Sequence, residues 1–241
     1  MIYSPDVTIQ LLACVGLRRL LSIENNPPIQ AVIDANLVPV FINLLHHDIP
    51  KFQFEAAWCL TNIASGTTDH VNNLIEKEVL QHFIQLLSSP CIEVVEQVIW
   101  GIGNIAGDSP MTRDSVLNSG ALEKIAVVLD QAVPGSSFLR NASWALSNLC
   151  RGRPQPKYDL VRRAIPTLIK VLVENEKEDI ITDICWALSY LSDGAKERIN
   201  DLLDQNLLVK LIQLMRHENV AIAIPCLRTV GNIVTGDDEQ T

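Results

Sequence analysis

The sequence has few aromatic residues and no long apolar run. Aromatic side chains make up 5% of the 241 residues, although hydrophobic residues make up 48%. This imbalance predicts a core filled by Leu, Ile, Val and Ala. No segment reaches the roughly 18 uninterrupted apolar residues of a membrane-spanning helix. The N-terminal MIYSPDVTIQ also lacks the charged and apolar regions of a secretory signal. We therefore expect no membrane partner.

Basic residues are also in short supply. The chain has 28 acidic and 19 basic residues, which gives a formal net charge of −9. A nucleic-acid-binding domain usually carries a basic stripe, so the charge balance argues against nucleic acid as a partner. The same balance weakly favours a basic partner through long-range attraction.

The cysteines and histidines are not spaced for metal or redox chemistry. None of the six cysteines forms a C-x-x-C pair, and most lie in apolar helical runs, which predicts buried free thiols in a reducing compartment. The five histidines show no metal-ligand spacing. GIGNIAG resembles a dinucleotide fingerprint superficially, but it lies inside a helical segment rather than after a strand. We expect no catalytic residues, no metal and no cofactor.

The sequence does contain a regular period. A tryptophan is followed four residues later by an asparagine in three places, and two related pairs continue the series at steps of 42 or 44 residues. We call these five pairs the ladder: Trp58/Asn62, Trp100/Asn104, Trp144/Asn148, Trp186/Tyr190 and Arg228/Asn232. A period of this size indicates stacked helical repeats.

Each period predicts three helices of different length. In residues 69–109, a short helix starts near Asp69, a middle helix follows over 79–89, and a longer third helix ends at Gly107. Three helices per repeat are the armadillo pattern, whereas a HEAT repeat has two. We therefore expect an all-α fold, an armadillo-repeat right-handed superhelical solenoid. The other repeats predict helices over 29–35, 37–46, 50–65, 111–118, 121–131, 137–150, 157–163, 165–174, 178–192, 196–204, 207–217 and 220–235.

The period also predicts the domain organisation. We call each pair of the ladder a rung. Residues 1–26 are expected to be a partial N-terminal repeat, in which Gly16 and Leu20 occupy the ladder positions, so this repeat has a blank rung. Five armadillo repeats are expected after it, at approximately 27–68, 69–109, 110–153, 154–194 and 195–241.

Polar residues precede the ladder tryptophans by three positions, and therefore share their helix face. These residues are Glu55, Gln97, Asn141 and Asp183. A tryptophan in a helix is usually part of the core, but a buried polar row of this length needs a hydrogen-bond partner for every group. We therefore expect an exposed ladder on a concave surface. Indoles would stack on Lys or Arg stems, asparagines would bind the backbone of an extended peptide, and acids such as Asp108, Asp183 and Asp193 would accept cations.

The phrases EQVIWGIGNIAGD, RNASWALSNLCRG and DICWALSYLSDG closely resemble the importin-alpha (karyopherin-alpha) family of nuclear import adaptors, from about residue 8 onward. The resemblance implies that Lys/Arg-rich nuclear localisation signals of cargo proteins bind in extended form in the groove, antiparallel to the repeat order. It also implies a location in cytoplasm and nucleus. Importin-beta is a partner in this family, but no Arg/Lys-rich segment for it precedes residue 8, and the late repeats are not found. The expectation is a member truncated at both ends that lacks the importin-beta-binding segment.

The resemblance also assigns individual residues. It places Asp108 and the Gly66 carbonyl around the most buried lysine of the signal, and Val71 stands where the family commonly has a threonine, which removes one hydroxyl from that pocket. Arg228 replaces a tryptophan, so no cation slot is expected there. The resemblance implies a major site formed by Trp58, Asn62, Trp100, Asn104, Trp144 and Asn148. Further groove positions are Gln97, Asn141 and Asp183. The stretch between the family's major and minor sites is matched by Trp186, Tyr190, Arg228 and Asn232.

A different armadillo scaffold is the alternative interpretation. A beta-catenin-type groove binds other extended peptides, with acidic or phosphorylated tails, and should be lined with Lys and Arg rather than Trp, Asn and acids. A small basic patch is available for such a role, or for pairing with acids of the same chain. Its members are Arg18, Arg19, Arg140, Arg151 and Arg153.

Overall fold

The computed structural model describes residues 1–194 and 196–236, and this part of the chain is helical, without a β-strand. A 3-10 turn, Arg162–Ala164, separates α11 from α12. The α-helices are α1 Val7–Leu21, α2 Ile29–Asp34, α3 Val38–Leu45, α4 Pro50–Ala64, α5 Thr68–Glu76, α6 Val79–Leu86, α7 Ile92–Asp108, α8 Pro110–Asn118, α9 Ala121–Asp130, α10 Ser137–Cys150, α11 Tyr158–Val161, α12 Ile165–Glu174, α13 Glu178–Leu191, α14 Lys196–Asn200, α15 Gln205–Leu214 and α16 Val220–Ile233.

The helices after α1 follow a repeated order of two shorter helices and one long helix. The long members, α4, α7, α10, α13 and α16, carry the ladder pairs. Local sequence explains several helix starts. Pro50 occupies the first turn of α4, where its missing N–H costs nothing. The Ser136 hydroxyl and the Asn219 amide oxygen accept backbone N–H bonds at the starts of α10 and α16.

The structure differs from the sequence predictions at several helix ends. The predicted helix over 157–163 is instead the four-residue α11 followed by the 3-10 turn. The predicted helix over 196–204 ends at Asn200, because Asp204 is used to cap α15 through the backbone N–H groups of Asn206 and Leu207, at 2.9 and 3.0 Å. Thr67 rather than Asp69 caps α5. Gly107 is not a C-cap, because α7 continues to Asp108.

The chain divides into two compact units, residues 1–112 and 113–241. In the first unit, α4 packs against α1, α3 and α7. Phe41, Phe52 and Phe83 are fully buried there. Gly101 permits the close approach of α7, because a Cβ at this position would lie 2.4 Å from the Phe83 ring and 2.8 Å from Thr61 Oγ1.

In the second unit, α13 packs against α10, α12 and α16. Its buried side includes Ile180, Ile184 and Leu188, which are fully inaccessible. The charged side chain of Arg113 is also buried in this unit. The Arg113 guanidinium donates to Oδ1 of Asp114 and to the backbone carbonyl of Arg151, so its charge and donors are satisfied as burial requires.

Polar bonds in both units join positions that lie 40 residues apart. Asn62 donates to Ser22 at 2.9 Å in the first unit, and Arg163 donates to Glu123 at 2.6 Å in the second. The backbone N–H of Gly135 likewise donates to Asn175 at 2.8 Å. Each bond links equivalent regions of successive repeats, so the period seen in the sequence is also the spacing of the stabilising contacts.

Five of the six cysteines are buried free thiols, as predicted; Cys91 is partly exposed. None of the helices among the described residues has both the length and the hydrophobicity needed to cross a bilayer.

Candidate functional site

In the first unit, the ladder lies on the neighbouring helices α4 and α7. Trp100 is 42% exposed, as an indole that binds a ligand should be. Trp58 is partly covered, because the Arg18 guanidinium carbon lies 4.6 Å from its ring centroid and Phe54 contacts it edge-on at 5.5 Å. Arg18 lies between Gly16 and Leu20, the two positions without a ladder side chain, and it stacks on the indole of the first ladder pair.

Arg18 is held in this place by a buried carboxylate. Glu55 is 1% exposed and pairs with Arg18 at 2.8 Å and with Lys51 at 2.9 Å. Burial raises the pKa of Glu55, but the hydrogen bonds and charges of Arg18 and Lys51 outweigh it, and the pKa falls below the usual value. The first rung thus contains a built-in example of the chemistry expected of the groove, in which an arginine lies between an indole and an acid.

The asparagines of this unit bind the preceding repeat. Asn104 donates through Nδ2 to the Thr61 carbonyl at 3.0 Å, and Asn62 donates to the Ser22 hydroxyl at 2.9 Å. Each bond uses one of the two N–H donors of a carboxamide and fixes the orientation of the group. The amides are therefore positioned in advance of any contact with a peptide backbone.

Four polar or aromatic residues form one stripe along α7. They follow each other at intervals of three or four positions and therefore share a helix face. The stripe consists of Gln97, Trp100, Asn104 and Asp108. Within the described part of the chain, Nε2 of Gln97 and Oδ2 of Asp108 are buried without a hydrogen-bond partner. Such groups are costly to leave unsatisfied, and a ligand that brings a donor to Asp108, the partly exposed member of the two, would satisfy its carboxylate.

The surroundings of Asp108 differ from the expectation in one respect. Val71 is fully buried in the core and offers no hydroxyl. Thr68 supplies one from the preceding turn, because its Oγ1 donates to Oδ1 of Asp108 at 3.0 Å. Gly66, whose carbonyl was predicted to assist, lies just before the α5 cap and is partly exposed.

In the second unit, the ladder continues on α10, α13 and α16. Asn141, Trp144 and Trp186 are partly exposed, and Trp186 stacks on Tyr190 with 5.8 Å between ring centroids. Asn232 donates to the Ser192 hydroxyl at 2.9 Å. This bond matches the one from Asn62 to Ser22, which also spans 40 positions.

The prediction that the whole ladder face is exposed is wrong for three residues. Glu55, Gln97 and Asn148 are 1%, 5% and 4% exposed. Glu55 lies on α4 and Gln97 on α7, two helices that pack against each other, and residues 145–150 at the end of α10 are all buried. The sequence pattern identified the face but not the depth at which each side chain lies.

The pKa of Asp183, an acid on the ladder face of α13, is raised in the folded protein. Burial raises its pKa to about 6, and the nearby Asp179 carboxylate adds to the rise, whereas Arg140 opposes it. Arg140 pairs with Asp179 at 3.2 Å. A carboxyl in this state gains from a cation brought beside it, because the cation favours the charged form.

Arg228 and Arg153 lie together at the last rung. Both donate to Oδ2 of Asp193, at 3.1 and 3.0 Å, and Arg228 lies 5.6 Å from the Tyr190 ring centroid. These residues line a cavity of about 200 Å³. The sequence analysis expected no cation slot at Arg228, and it did not predict that Arg153 and Arg228 bond the same carboxylate.

The sequence analysis also missed Arg18 and Thr68 as site residues. The spacing of 40 positions between Thr68 and Asp108 is a signal that a systematic comparison of successive repeats would have found. Among residues 1–194 and 196–236, no group of three or more His, Cys, Asp or Glu side chains is placed to hold a metal ion.

Comparison with known proteins identifies the repeat family and similar proteins. The family model described as "Armadillo/beta-catenin-like repeat" matches residues 25–65, 67–107 and 154–193, about half of the chain. The chain is 48% identical over its whole length to importin subunit alpha-1b of Oryza sativa subsp. japonica, of which it covers 45%. It is also 48% identical, over 97% of its length, to importin subunit alpha-B of Dictyostelium discoideum, again covering 45%. The chain thus spans a little under half the length of these relatives.

Solved structures show the same fold. A designed armadillo repeat protein in complex with the peptide (KR)4 superposes with a TM-score of 0.84 and 26% sequence identity, with coverage of 96% of this chain and 95% of the designed one. The predicted all-α armadillo architecture and the predicted resemblance to importin-alpha are both confirmed.

Proposed function

Because this chain belongs to the armadillo-repeat family and resembles importin-alpha subunits along its whole length, we propose that it is a peptide-binding adaptor for nuclear import. Its ligands are Lys/Arg-rich nuclear localisation signals of cargo proteins, bound in extended form along the ladder. The function is binding without a chemical step, and it is exercised in cytoplasm and nucleus.

The observation that carries the proposal is the state of Asp108. Its Oδ2 is buried without a partner in the described chain, at the end of the stripe that presents Trp100 and Asn104. A lysine ammonium supplies the missing hydrogen bond together with the opposite charge, and such charge-assisted bonds are roughly twice as strong as neutral ones. An apolar or acidic side chain would leave the carboxylate unsatisfied.

The indoles account for the stem of the cation. Trp100 offers an exposed ring face, and a Lys or Arg stem that packs on it contributes about 0.5–2 kcal/mol, depending on desolvation. Arg18 over Trp58 shows that this ladder accommodates a guanidinium on an indole. The bond of Asn104 to the Thr61 carbonyl uses one N–H donor of its carboxamide, and the remaining donor and acceptor can bind the N–H and C=O groups of a peptide backbone.

The acidic surface supports the same class of ligand. A net charge of −9 attracts a basic segment over distances longer than a direct contact. The designed armadillo protein bound to (KR)4 supports basic peptides as ligands of this fold.

Fluorescence anisotropy tests the proposal. A labelled peptide of the PKKKRKV type is titrated with the protein at near-physiological salt, beside a version in which the lysines are alanines. We expect micromolar or tighter binding that the alanine peptide loses. The variant Asp108→Asn should weaken binding by about 2 kcal/mol or more, since it removes one partner of a buried charge pair.

Asp48→Asn is the matched control for that variant. It makes the same change of charge in the same unit, at an exposed position outside the stripe. Equal binding of both peptides, or equal weakening by Asp108→Asn and Asp48→Asn, would show that the chain does not recognise a basic signal through this site.

A further inference from the structure

Two thiols meet inside the contact between α13 and α16. Cys185 and Cys226 are free cysteines that are fully buried, and their sulfur atoms lie 3.3 Å apart. The two helices pack directly against each other, so the pair joins the long helices of successive repeats. Because a disulfide bond is about 2.05 Å long, side-chain rotations that bring the sulfur atoms about 1 Å closer would form one.

Cys226 is the more nucleophilic member of the pair. The Cys185 thiol stabilises negative charge on the Cys226 sulfur by a hydrogen bond, which lowers the pKa of Cys226 although burial opposes the change. The same hydrogen bond raises the pKa of Cys185, and burial adds to the rise. Because the thiolate is the form that attacks, we expect Cys226 to react first and Cys185 to be the neutral thiol held beside it.

The helix around Cys226 offers a route for a small oxidant. Pro225 lies inside α16 and has no N–H group, so one hydrogen bond of the helical backbone is missing next to the thiol. The neighbouring Ile224 and Leu227 are 49% and 63% exposed. A helix with a missing bond and exposed flanking residues opens locally at low cost. Hydrogen peroxide is small enough to enter through such an opening, whereas oxidised glutathione is much larger.

We propose that Cys185 and Cys226 form a redox modification site, at which a peroxide converts the thiol pair to a disulfide that cross-links α13 and α16. The site is independent of the proposed peptide-binding function. The Cys226 thiolate attacks one peroxide oxygen, the O–O bond breaks, and a sulfenic acid and water form after protonation. Cys185 then attacks the Cys226 sulfur, the S–O bond breaks, and hydroxide leaves as water with the Cys185 proton. Two thiols and one peroxide thus give one disulfide and two water molecules.

The other cysteines provide internal controls. Cys14 and Cys59 also form a hydrogen-bonded pair, but burial and this bond raise the pKa of Cys59 well above its usual value, so we expect it to react more slowly than Cys226. Cys150 is buried beside Arg113 rather than beside a thiol, and burial raises its pKa to about 12. We expect Cys150 to remain reduced in the folded protein.

Thiol mapping tests the site on the whole chain. The folded protein is exposed to hydrogen peroxide, the remaining thiols are blocked with iodoacetamide in denaturant, and tryptic peptides are identified by mass spectrometry without reductant. We expect the peptides that contain Cys185 and Cys226 to be linked before any other pair, and dithiothreitol should release them. The same result is expected in Cys91→Ser, which removes the partly exposed cysteine and with it cross-links between molecules.

Other results of the mapping would overturn the proposal. One is recovery of Cys185 and Cys226 as separate blocked peptides at a peroxide concentration that oxidises Cys91. A second is oxidation of Cys226 to a sulfinic acid while Cys185 stays free, because a thiol in contact should capture the sulfenic acid first. A third is linkage of Cys14 to Cys59 at an equal or higher rate, since it would remove the special reactivity of Cys226.

Thermal unfolding tests the effect of the cross-link. A disulfide between residues that lie 41 positions apart restricts the unfolded chain. The oxidised protein should therefore unfold about 5 °C or more above the reduced protein, and dithiothreitol should remove the difference. Peroxide should leave the midpoint of Cys226→Ala unchanged, whereas Cys150→Ala, which changes another buried cysteine, should keep the gain. A linked protein without a higher midpoint, or a gain that persists in Cys226→Ala, would contradict a stabilising cross-link.

Discussion

The Thr68 hydroxyl donates a hydrogen bond to Oδ1 of Asp108 at 3.0 Å, across one full period of the sequence. The bond orients the carboxylate and leaves Oδ2 as the buried oxygen without a partner in the described residues. Val71, expected to be the weak point of this pocket, is instead a core residue. The hydroxyl therefore comes from Thr68, three positions earlier in α5 than Val71.

Thr68→Ala should weaken a basic peptide about fivefold, or about 1 kcal/mol, because Asp108 loses the neutral hydrogen bond that positions it. Thr68→Ser keeps the hydroxyl and should restore most of the affinity. Anisotropy with the peptide of the PKKKRKV type measures both. Equal affinities for the alanine variant and the wild-type protein would mean that Asp108 is positioned without Thr68.

Trp100→Ala should weaken the same peptide by about 1–3 kcal/mol, as expected of an exposed aromatic residue at the centre of a binding surface. The fold should be unaffected, because the indole is 42% exposed. Val127→Ala, at an exposed position on α9, is the control for loss of a surface apolar group. Loss of helicity in Trp100→Ala, measured by circular dichroism, would contradict the assignment of this residue to the groove.

Asn104→Ala should behave differently from Trp100→Ala. It removes the bond from Nδ2 to the Thr61 carbonyl, so it should lower the free energy of unfolding by about 0.5–1.5 kcal/mol in addition to weakening the peptide. Denaturant unfolding and anisotropy on the same sample separate the two effects. A loss of affinity without any loss of stability would show that the Thr61 bond contributes nothing in the free protein.

Asp183 should make both stability and binding depend on pH. Burial raises its pKa in the folded state to about 6, above the unfolded value of 3.8, so the folded state binds the proton more tightly. The contribution to stability is then present below the unfolded pKa and is lost as the pH rises through the folded pKa. At pH 7, the free energy of unfolding of Asp183→Asn should exceed that of the wild-type protein by at most about 3 kcal/mol. The difference should vanish near pH 4.

A bound cation reverses this preference. A basic peptide placed beside Asp183 stabilises the charged form, so affinity should rise between pH 5 and pH 7 and the rise should be smaller in Asp183→Asn. The pH series is run with Asp48→Asn as the control for net charge. Parallel profiles for the wild-type protein and Asp183→Asn would place this carboxyl outside the peptide-binding surface.

Arg18→Ala should destabilise the first unit, because Glu55 is 1% exposed and would keep only Lys51 as a partner. A buried charge that loses one partner costs about 3 kcal/mol or more. The pKa of Glu55 is depressed in the folded state, so its contribution is present at neutral pH and is lost on acidification through that pKa. A double-mutant cycle with Glu55→Gln measures the coupling by denaturant unfolding, and a coupling of zero would contradict the pairing.

The sequence predicted those features that depend on periodicity. The ladder positions fell on the long helices, and α10 and α12 begin and end where the apolar pattern placed them. Prediction failed where one side chain had two possible roles. Asp204 was placed inside a helix but caps the next one, and Asn148 was placed on an exposed rung but is enclosed at the end of α10. Such choices depend on packing that a pattern along one helix does not contain.

The contacts between repeats needed the structure for a related reason. Arg18 reaches Trp58 and Glu55 across 40 and 37 positions, and Arg153 and Arg228 meet on one carboxylate from opposite directions in the chain. Long side chains have many rotamers, and only the relative placement of neighbouring helices selects among them. Composition could show only that arginines and acids were available.

The bonds across 40 positions restrict how a chain of this kind can change in length. Thr68 with Asp108 and Arg153 with Asp193 each join one repeat to the next. A single residue inserted into a long helix would rotate everything after it by about 100° and move the ladder away from its face. Duplication of one whole repeat would give every side chain an equivalent neighbour. Growth by complete repeats would lengthen the ladder in fixed steps, so under the proposed function the number of repeats sets the length of peptide that one molecule can bind.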